Sequence, residues 1–134
     1  MPHLVVLYTD NLEAQTNMDA LCRTLADTLL TIRDEHSQQV YPTGGVRVLA
    51  YPARHFAVAD GTRDYAFVYL NLRMGRGRSE AVRKRAGEAL VAAAKAHLEP
   101  LFATRYVGLT VQIDEGQEVF DARLSTIHPL FRKD

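Results

Sequence analysis

The chain has little cysteine, no surplus of either charge and no long apolar run. Cys22 is the single cysteine, which excludes an internal disulfide and suits a reducing cytoplasm. Lys+Arg and Asp+Glu both number 16, so the net charge gives no argument for binding nucleic acid or an anionic membrane. No apolar run is long enough to span a bilayer, and the first residues lack the basic leader of a signal peptide. We expect a cytoplasmic single domain over residues 1–134 that binds neither nucleic acid nor membrane.

The first half of the chain, about residues 1–59, has the pattern of a β-α-β unit. Residues 4–9 and 46–51 are short, apolar and β-prone, which predicts two strands. Between them a capping-box-like start at Thr16, with Asp19 three residues later, predicts the beginning of a helix. This helix has one apolar face whose residues recur every three or four positions: Met18, Leu21, Leu25, Leu29 and Ile32.

The second half, about residues 60–116, repeats the order but not the residues. Residues 65–72 and 107–113 predict strands, and Ser79 is expected to cap a long helix with an alanine-rich inner face. Pro100 should end or kink that helix. Residues 117–134 are expected to form an irregular tail with a short apolar end. Together these patterns predict an α+β fold in which a sheet packs on two helices.

Pro2 is the first residue that could carry chemistry. If Met1 is removed, Pro2 presents a free secondary amine. Such an amine can take up a proton, whereas an amide nitrogen cannot. An α-amino group ordinarily titrates near about 7.7–8.0, and apolar burial or nearby cations lower that pKa towards neutrality, where a general base works best. The alternative is that proline in this position serves only efficient removal of methionine.

Two arginines are the other candidates. Residues 74–79 place two glycines and Arg78 ahead of a helix start, an arrangement that suits a carboxylate, although a flexible loop with solvated arginines has the same composition. Arg47 lies inside an apolar strand and either faces solvent or serves a ligand. The five histidines and Cys22 show none of the usual metal-binding spacings, so no metal site is predicted.

An RNA-recognition motif is a competing interpretation, because it has the same order of strands and helices. Residues 63–68 approach its RNP1 pattern, with Tyr65 and Phe67 placed to stack on bases. Asp64 stands where that pattern has glycine, and the chain has no net positive charge to attract phosphate. The stretch before Tyr65 is also longer than a compact RNA-binding module needs.

The Met-Pro-His opening and residues 42–47, 59–68 and 75–79 together resemble the 5-carboxymethyl-2-hydroxymuconate isomerase family of the tautomerase superfamily. The resemblance runs through residues 1 to about 115. It implies two β-α-β units related by a pseudo-twofold, and a homotrimer with active sites at the subunit boundaries. Residues 52, 54 and 55 depart from the bulkier aromatic residues expected there, which bears on the shape of the pocket.

The resemblance also implies a reaction and roles for the three candidates. The reaction is a cofactor-independent keto-enol (1,3-allylic) proton transfer on an unsaturated tricarboxylate in aromatic catabolism, the meta-cleavage of homoprotocatechuate. Pro2 would be the acid/base, and Arg47 and Arg78 would bind substrate carboxylates, since burying a carboxylate without a cation is costly. A hydratase or dehalogenase of unsaturated acids on the same fold remains an alternative. We further expect the tail around Ile127–Phe131 to pack on a neighbouring subunit.

Overall fold

The computed structural model describes residues 2–131, which form four strands and two long helices in the order β-α-β-β-α-β. The strands are β1 (His3–Thr9), β2 (Arg47–Ala53), β3 (Tyr65–Met74) and β4 (Tyr106–Glu115). The helices are α1 (Met18–Leu30) and α2 (Glu80–Thr104), and short 3-10 turns cover Asp10–Leu12, Thr43–Gly45 and His128–Phe131. No helix in the described part of the chain is long and apolar enough to cross a bilayer.

The four strands form one mixed sheet in the order β2-β1-β3-β4. β1 pairs in parallel with β2, β3 pairs in parallel with β4, and the central pair β1–β3 is antiparallel. Each parallel pair is therefore joined through one helix, and the two β-α-β units meet back to back at the centre. This arrangement confirms the predicted α+β fold of two β-α-β units with a sheet packed on two helices.

The core lies between the two helices and one face of the sheet. Alternate residues of the central strands, such as Leu4, Val6 and Leu70, are fully buried against Leu25 of α1 and Leu90 of α2. On the other face of the sheet the apolar side chains stay partly open, because neither helix of the described chain packs there. Leu7, Leu49 and Tyr51 are between 40% and 49% exposed on that face.

Helix α1 begins one residue later than the capping-box pattern predicted. Asn17 is the N-cap, and its side-chain oxygen accepts a hydrogen bond from the backbone N–H of Ala20. Thr16 does not cap the helix because its hydroxyl bonds to the ring nitrogen Nε2 of His97, 2.9 Å away on α2. The hydroxyl that the local pattern assigned to the cap is therefore used in a contact between the loop ahead of α1 and helix α2.

Helix α2 begins as predicted and ends later than predicted. Ser79 caps it by accepting from the N–H of Val82. Pro100 does not end the helix, which continues to Thr104. The last turn is held because Leu98 and Leu101 are both buried in the core, and this packing outweighs the missing proline N–H.

The tail folds back on its own chain at its far end, and the apolar side chains of its middle are open to solvent. The Cα of His128 lies 2.8 Å from the place where a Cβ on Gly44 would be, so only glycine permits this approach. Further back, Val119, Phe120 and Leu124 are 84% to 104% exposed.

Candidate active site

One end of the sheet gathers the three predicted site residues. Pro2 directly precedes β1, Arg47 is the first residue of β2, and Arg78 follows β3 in the loop that leads into α2. Because β1 and β2 begin where the antiparallel β3 ends, the three backbone positions come to the same edge although they are far apart in sequence. His3 is the register partner of Arg47 on one side and of Arg73 on the other.

Pro2 is buried, ahead of a strand whose inward residues form the centre of the core. Its neighbours along β1 and β3 are fully buried apolar side chains, among them Leu4 and Leu72. A nitrogen at this position is therefore close to an apolar environment. The next residue along β1, His3, is the register partner of both Arg47 on β2 and Arg73 on β3.

Arg78 is half-buried and rests on an aromatic side chain. Its guanidinium carbon lies 5.1 Å from the centre of the Tyr41 ring, and its Nη1 donates to the carbonyl oxygen of Gly75 at 3.1 Å. Tyr41 is fully buried, and its hydroxyl donates to the Met74 sulfur at 3.7 Å. Burial raises the pKa of Tyr41, and the positive charge of Arg78 acts in the opposite direction.

The loop that carries Arg78 requires a glycine. Gly77 has φ of +112°, a conformation that side chains rarely adopt, and it lets the chain turn from β3 into the cap of α2. Arg78 thereby reaches a cavity of about 510 Å³ beside Arg76 and the first turn of α2. A helix N-terminus with an arginine beside it favours a bound carboxylate.

Two carboxylates border the same cavity. Backbone N–H groups of Gln38 and His36 lower the pKa of Asp34, and the pKa of Glu35 is lowered by its own backbone N–H and by the Ser79 hydroxyl. Glu35 accepts a hydrogen bond from Ser79 at 2.9 Å. Both acids are thus held in the charged form near the mouth, so an anionic ligand fits the arginine side of this cavity and not the acidic side.

Arg47 lies on the opposite face of the sheet from Arg78. It is exposed, on the face away from the helices, and it lines a cavity of about 220 Å³ together with His3, Arg73 and Arg123. Arg78 lies on the helix side, over the buried Tyr41. The fold therefore brings both arginines to one end of the sheet but directs them into separate cavities of a single chain.

Reasoning from the sequence missed two residues that contact the candidate site: Tyr41, which packs against Arg78, and Arg73, which lines the cavity with Arg47. Tyr41 has no motif around it, and only the tertiary contact with Arg78 reveals it. Arg73 could have been found from strand alternation, which puts it on the same face of β3 as Tyr69 and Asn71, but its place beside His3 depends on register. Among residues 2–131, no three His, Cys, Asp or Glu side chains come together in a way that could hold a metal ion.

The fold is that of the tautomerase superfamily. A solved structure described as the wild-type symmetric trimer of fused 4-OT superposes on the chain with a TM-score of 0.57, covering 95% of this chain and 98% of that one. The two sequences are only 16% identical, so this likeness shows the architecture alone.

The sequence pattern of the 5-carboxymethyl-2-hydroxymuconate isomerase family matches residues 2–131, and the chain belongs to that family. A crystal structure of a 5-carboxymethyl-2-hydroxymuconate delta-isomerase is 57% identical, with a TM-score of 0.96 over all of this chain and 95% of that one. The 5-carboxymethyl-2-hydroxymuconate Delta-isomerase of Escherichia coli is 30% identical over 98% of this chain and its own full length. The chain is therefore an isomerase, as the resemblance predicted, and these comparisons favour that activity over binding RNA.

Proposed function

We propose that the chain isomerises 5-carboxymethyl-2-hydroxymuconate, with Pro2 as the acid/base. The dienol substrate loses its hydroxyl proton while a carbon of the conjugated chain gains one, which gives the ketone with a relocated double bond. The observation that carries the proposal is the position of Pro2, buried at the head of a central strand and at the sheet end that also holds Arg47 and Arg78. Relatives that carry this name cover nearly the whole chain.

Pro2 suits the proton transfer because a prolyl nitrogen is compact and, with apolar neighbours and cations nearby, is expected to titrate near neutrality. Blocking this nitrogen, by a retained Met1 or by an N-terminal tag, should lower kcat/KM by about 10²–10⁴-fold. The pH profile of kcat/KM for the free protein should rise with one ionisation below about 7.7–8.0. Full activity in protein shown by intact mass to keep Met1 would exclude Pro2 as the base.

Arg47 and Arg78 bind carboxylates of the substrate and stabilise the charge that develops on its oxygen. Replacing either with alanine should cost about 2–4 kcal/mol in kcat/KM. Wild-type kinetics in both variants on this substrate would show that the site lies elsewhere. A matched control is Arg63→Ala, because Arg63 is an exposed arginine that lies over the Tyr106 ring, ahead of β3 and at the opposite end of the sheet.

The active protein is a homotrimer with its sites at the subunit boundaries. Support comes from the partly open apolar face of the sheet and from the trimeric fused 4-OT structure of the same fold. It also comes from the separation of Arg47 and Arg78 on opposite faces, since one chain does not enclose the substrate between them. Arg47 of one copy can complete the site that Pro2 and Arg78 form in a neighbour.

A mixing experiment tests whether copies share a site. Protein blocked at Pro2 and the Arg47→Ala variant should each be nearly inactive alone. After they are unfolded and refolded together, mixed trimers should regain activity, because some boundaries then combine an intact Pro2 with an intact Arg47. Activity that stays at the sum of the separate proteins would place Arg47 in the site of its own chain.

A further inference from the structure

A row of basic side chains crosses the sheet beside Pro2. Arg47 of β2, His3 of β1 and Arg73 of β3 are successive register partners, and strand alternation puts all of them on the face away from the helices. Directly opposed residues on antiparallel strands, such as His3 and Arg73, have Cβ atoms about 4.5–5.5 Å apart. The three residues also line one cavity of about 220 Å³.

The two arginines of this row have no carboxylate partner in the described part of the chain. Within residues 2–131, neither Arg47 nor Arg73 forms an ion pair or a hydrogen bond through its side chain. Asp121 lines the same cavity but pairs with Arg123 at 2.8 Å, and Glu118 lines it without forming an ion pair.

Within residues 2–131, the residue opposite Arg73 on β4 forms no ion pair with it either. Asp114 is the register partner of Arg73, yet its carboxylate accepts a hydrogen bond from the Asn71 side chain at 2.8 Å. An arginine cannot lose its proton in a protein, so the two unpaired guanidinium groups, which lie on the strands either side of His3, repel each other. An anion between them removes that repulsion.

We infer that Arg73 is a third carboxylate-binding residue, which selects the tricarboxylate substrate over dicarboxylates. This inference depends on the proposed function. The substrate carries three carboxylates, and Arg47 and Arg78 account for two of them. Arg73 is the only further arginine of the Arg47 cavity that is free of an ion pair within residues 2–131, and it binds the carboxymethyl group that distinguishes this substrate from a simple muconate.

The test compares two substrates in one variant. Arg73→Gln should lower kcat/KM for the tricarboxylate by roughly 10–100-fold, mainly through a higher KM, because a charge-assisted hydrogen bond is lost. The comparison substrate is the dicarboxylate analogue, the muconate without its carboxymethyl group. For this analogue kcat/KM should change by less than about threefold, since it has no third carboxylate that loses a partner. Arg73→Lys should recover part of the loss, because the positive charge remains without the planar fork. Arg63→Gln is the matched control: Arg63 is also exposed but lies at the other end of β3, over the Tyr106 ring.

The ratio of the two kcat/KM values decides the outcome. An equal loss on both substrates would mean that Arg73 is structural, and an unchanged ratio with unchanged rates would mean that it does not contact the substrate. Either result overturns the inference. Failure of the proposed function is seen separately, as wild-type activity in the Arg47→Ala and Arg78→Ala variants on both substrates.

Discussion

The aromatic ring of Tyr41 packs against the guanidinium group of Arg78. The guanidinium carbon lies 5.1 Å from the ring centre, within the range of a cation–π interaction, and the ring is fully buried. Such contacts contribute about 0.5–1 kcal/mol at exposed sites and about 2 kcal/mol when desolvated. The half-buried position of Arg78 lies between those limits, so the ring both attracts the guanidinium and limits where it can move.

The first prediction separates the ring of Tyr41 from its hydroxyl. Tyr41→Leu should lower kcat/KM by roughly tenfold, mostly through KM, because Arg78 loses the face it rests on. Tyr41→Phe keeps that face and should stay within about twofold of the wild type. Steady-state kinetics check both variants, with circular dichroism to confirm that the leucine variant is folded. Equal activity in the two variants would show that the ring does not position Arg78.

The second prediction concerns stability at alkaline pH. Burial raises the pKa of Tyr41 above its ordinary value of 10.0. The folded state therefore holds the phenolic proton where the unfolded chain releases it, so stability is full below pH 10 and falls as the pH rises towards the folded-state pKa. The loss is at most about 1.4 kcal/mol per pH unit for one such group, and it approaches this slope only above pH 10, where the unfolded tyrosine is mostly ionised.

Tyr41→Phe should remove this contribution, so its stability should fall less steeply than that of the wild type as the pH rises through 10. Urea unfolding at a fixed protein concentration between pH 9 and 11 measures it. Tyr8, whose pKa is also raised by burial and by the Glu13 carboxylate, stays in both proteins, so the difference between them reports Tyr41 alone. Parallel curves for wild type and variant would contradict the assignment.

At the scale of an element, the start of α1 shows that a tertiary contact can replace a helix cap predicted from the local sequence. Thr16 is used to join the first helix to His97 on the second, and Asn17 takes over the cap. The 2.9 Å contact with His97 ties the loop ahead of α1 to the middle of α2. Both helices therefore depend on residues outside their own bounds.

The third prediction tests the cap of α1. Asn17→Ala should lower the free energy of unfolding by about 1 kcal/mol, because the N–H of Ala20 loses its acceptor. Asn17→Gly should cost only a few tenths of a kcal/mol, since glycine adopts the cap conformation and leaves that N–H open to water. Denaturant unfolding compares the two. A larger loss in the glycine variant than in the alanine variant would rule out capping as the cause.

At the scale of the whole molecule, too much apolar surface is open for a chain that stays alone. Leu7, Leu49 and Tyr51 lie open on the free face of the sheet, and Phe120 and Leu124 of the tail contact almost nothing. Among residues 2–131, the sheet also ends in two edge strands, β2 and β4, that pair on one side only. Edges and apolar faces of this kind are normally covered by partners.

The fourth prediction concerns this assembly. Light scattering should give a homotrimer at micromolar concentration, and a variant with both Phe120→Glu and Leu124→Glu should dissociate more readily, because charge then replaces apolar contact with a neighbour. Thr24→Glu, on the exposed side of α1, serves as the control and should leave the mass unchanged. A stable wild-type monomer would contradict the proposed trimer. The expected neighbour contact at Ile127–Phe131 stays a prediction, although Ile127 and Phe131 also line a cavity of their own chain.

The order of strands and helices was predictable because it depends on short-range patterns. Alternation in β1 and β3, a repeat of three to four in α1 and the Ser79 cap of α2 each involve residues within a few positions of one another. These patterns, with the family resemblance, were sufficient for the α+β fold and for the isomerase activity. Pro2, Arg47 and Arg78 were candidates by residue type and position, the resemblance implied their roles, and the fold places them at one end of the sheet.

Other features depend on pairings between distant segments, and local pattern carries no information about them. The Tyr41 ring lies under Arg78, 37 positions later, and Arg73 lies beside His3 only through the antiparallel register of β1 and β3. Thr16 does not cap α1, because its hydroxyl bonds to His97, which lies near it in space. Pro100 lies inside α2, because Leu98 and Leu101 are buried in the core. In each case a contact across the fold outweighed a preference of the local sequence, since burial and satisfied hydrogen bonds are worth more than a single turn's propensity.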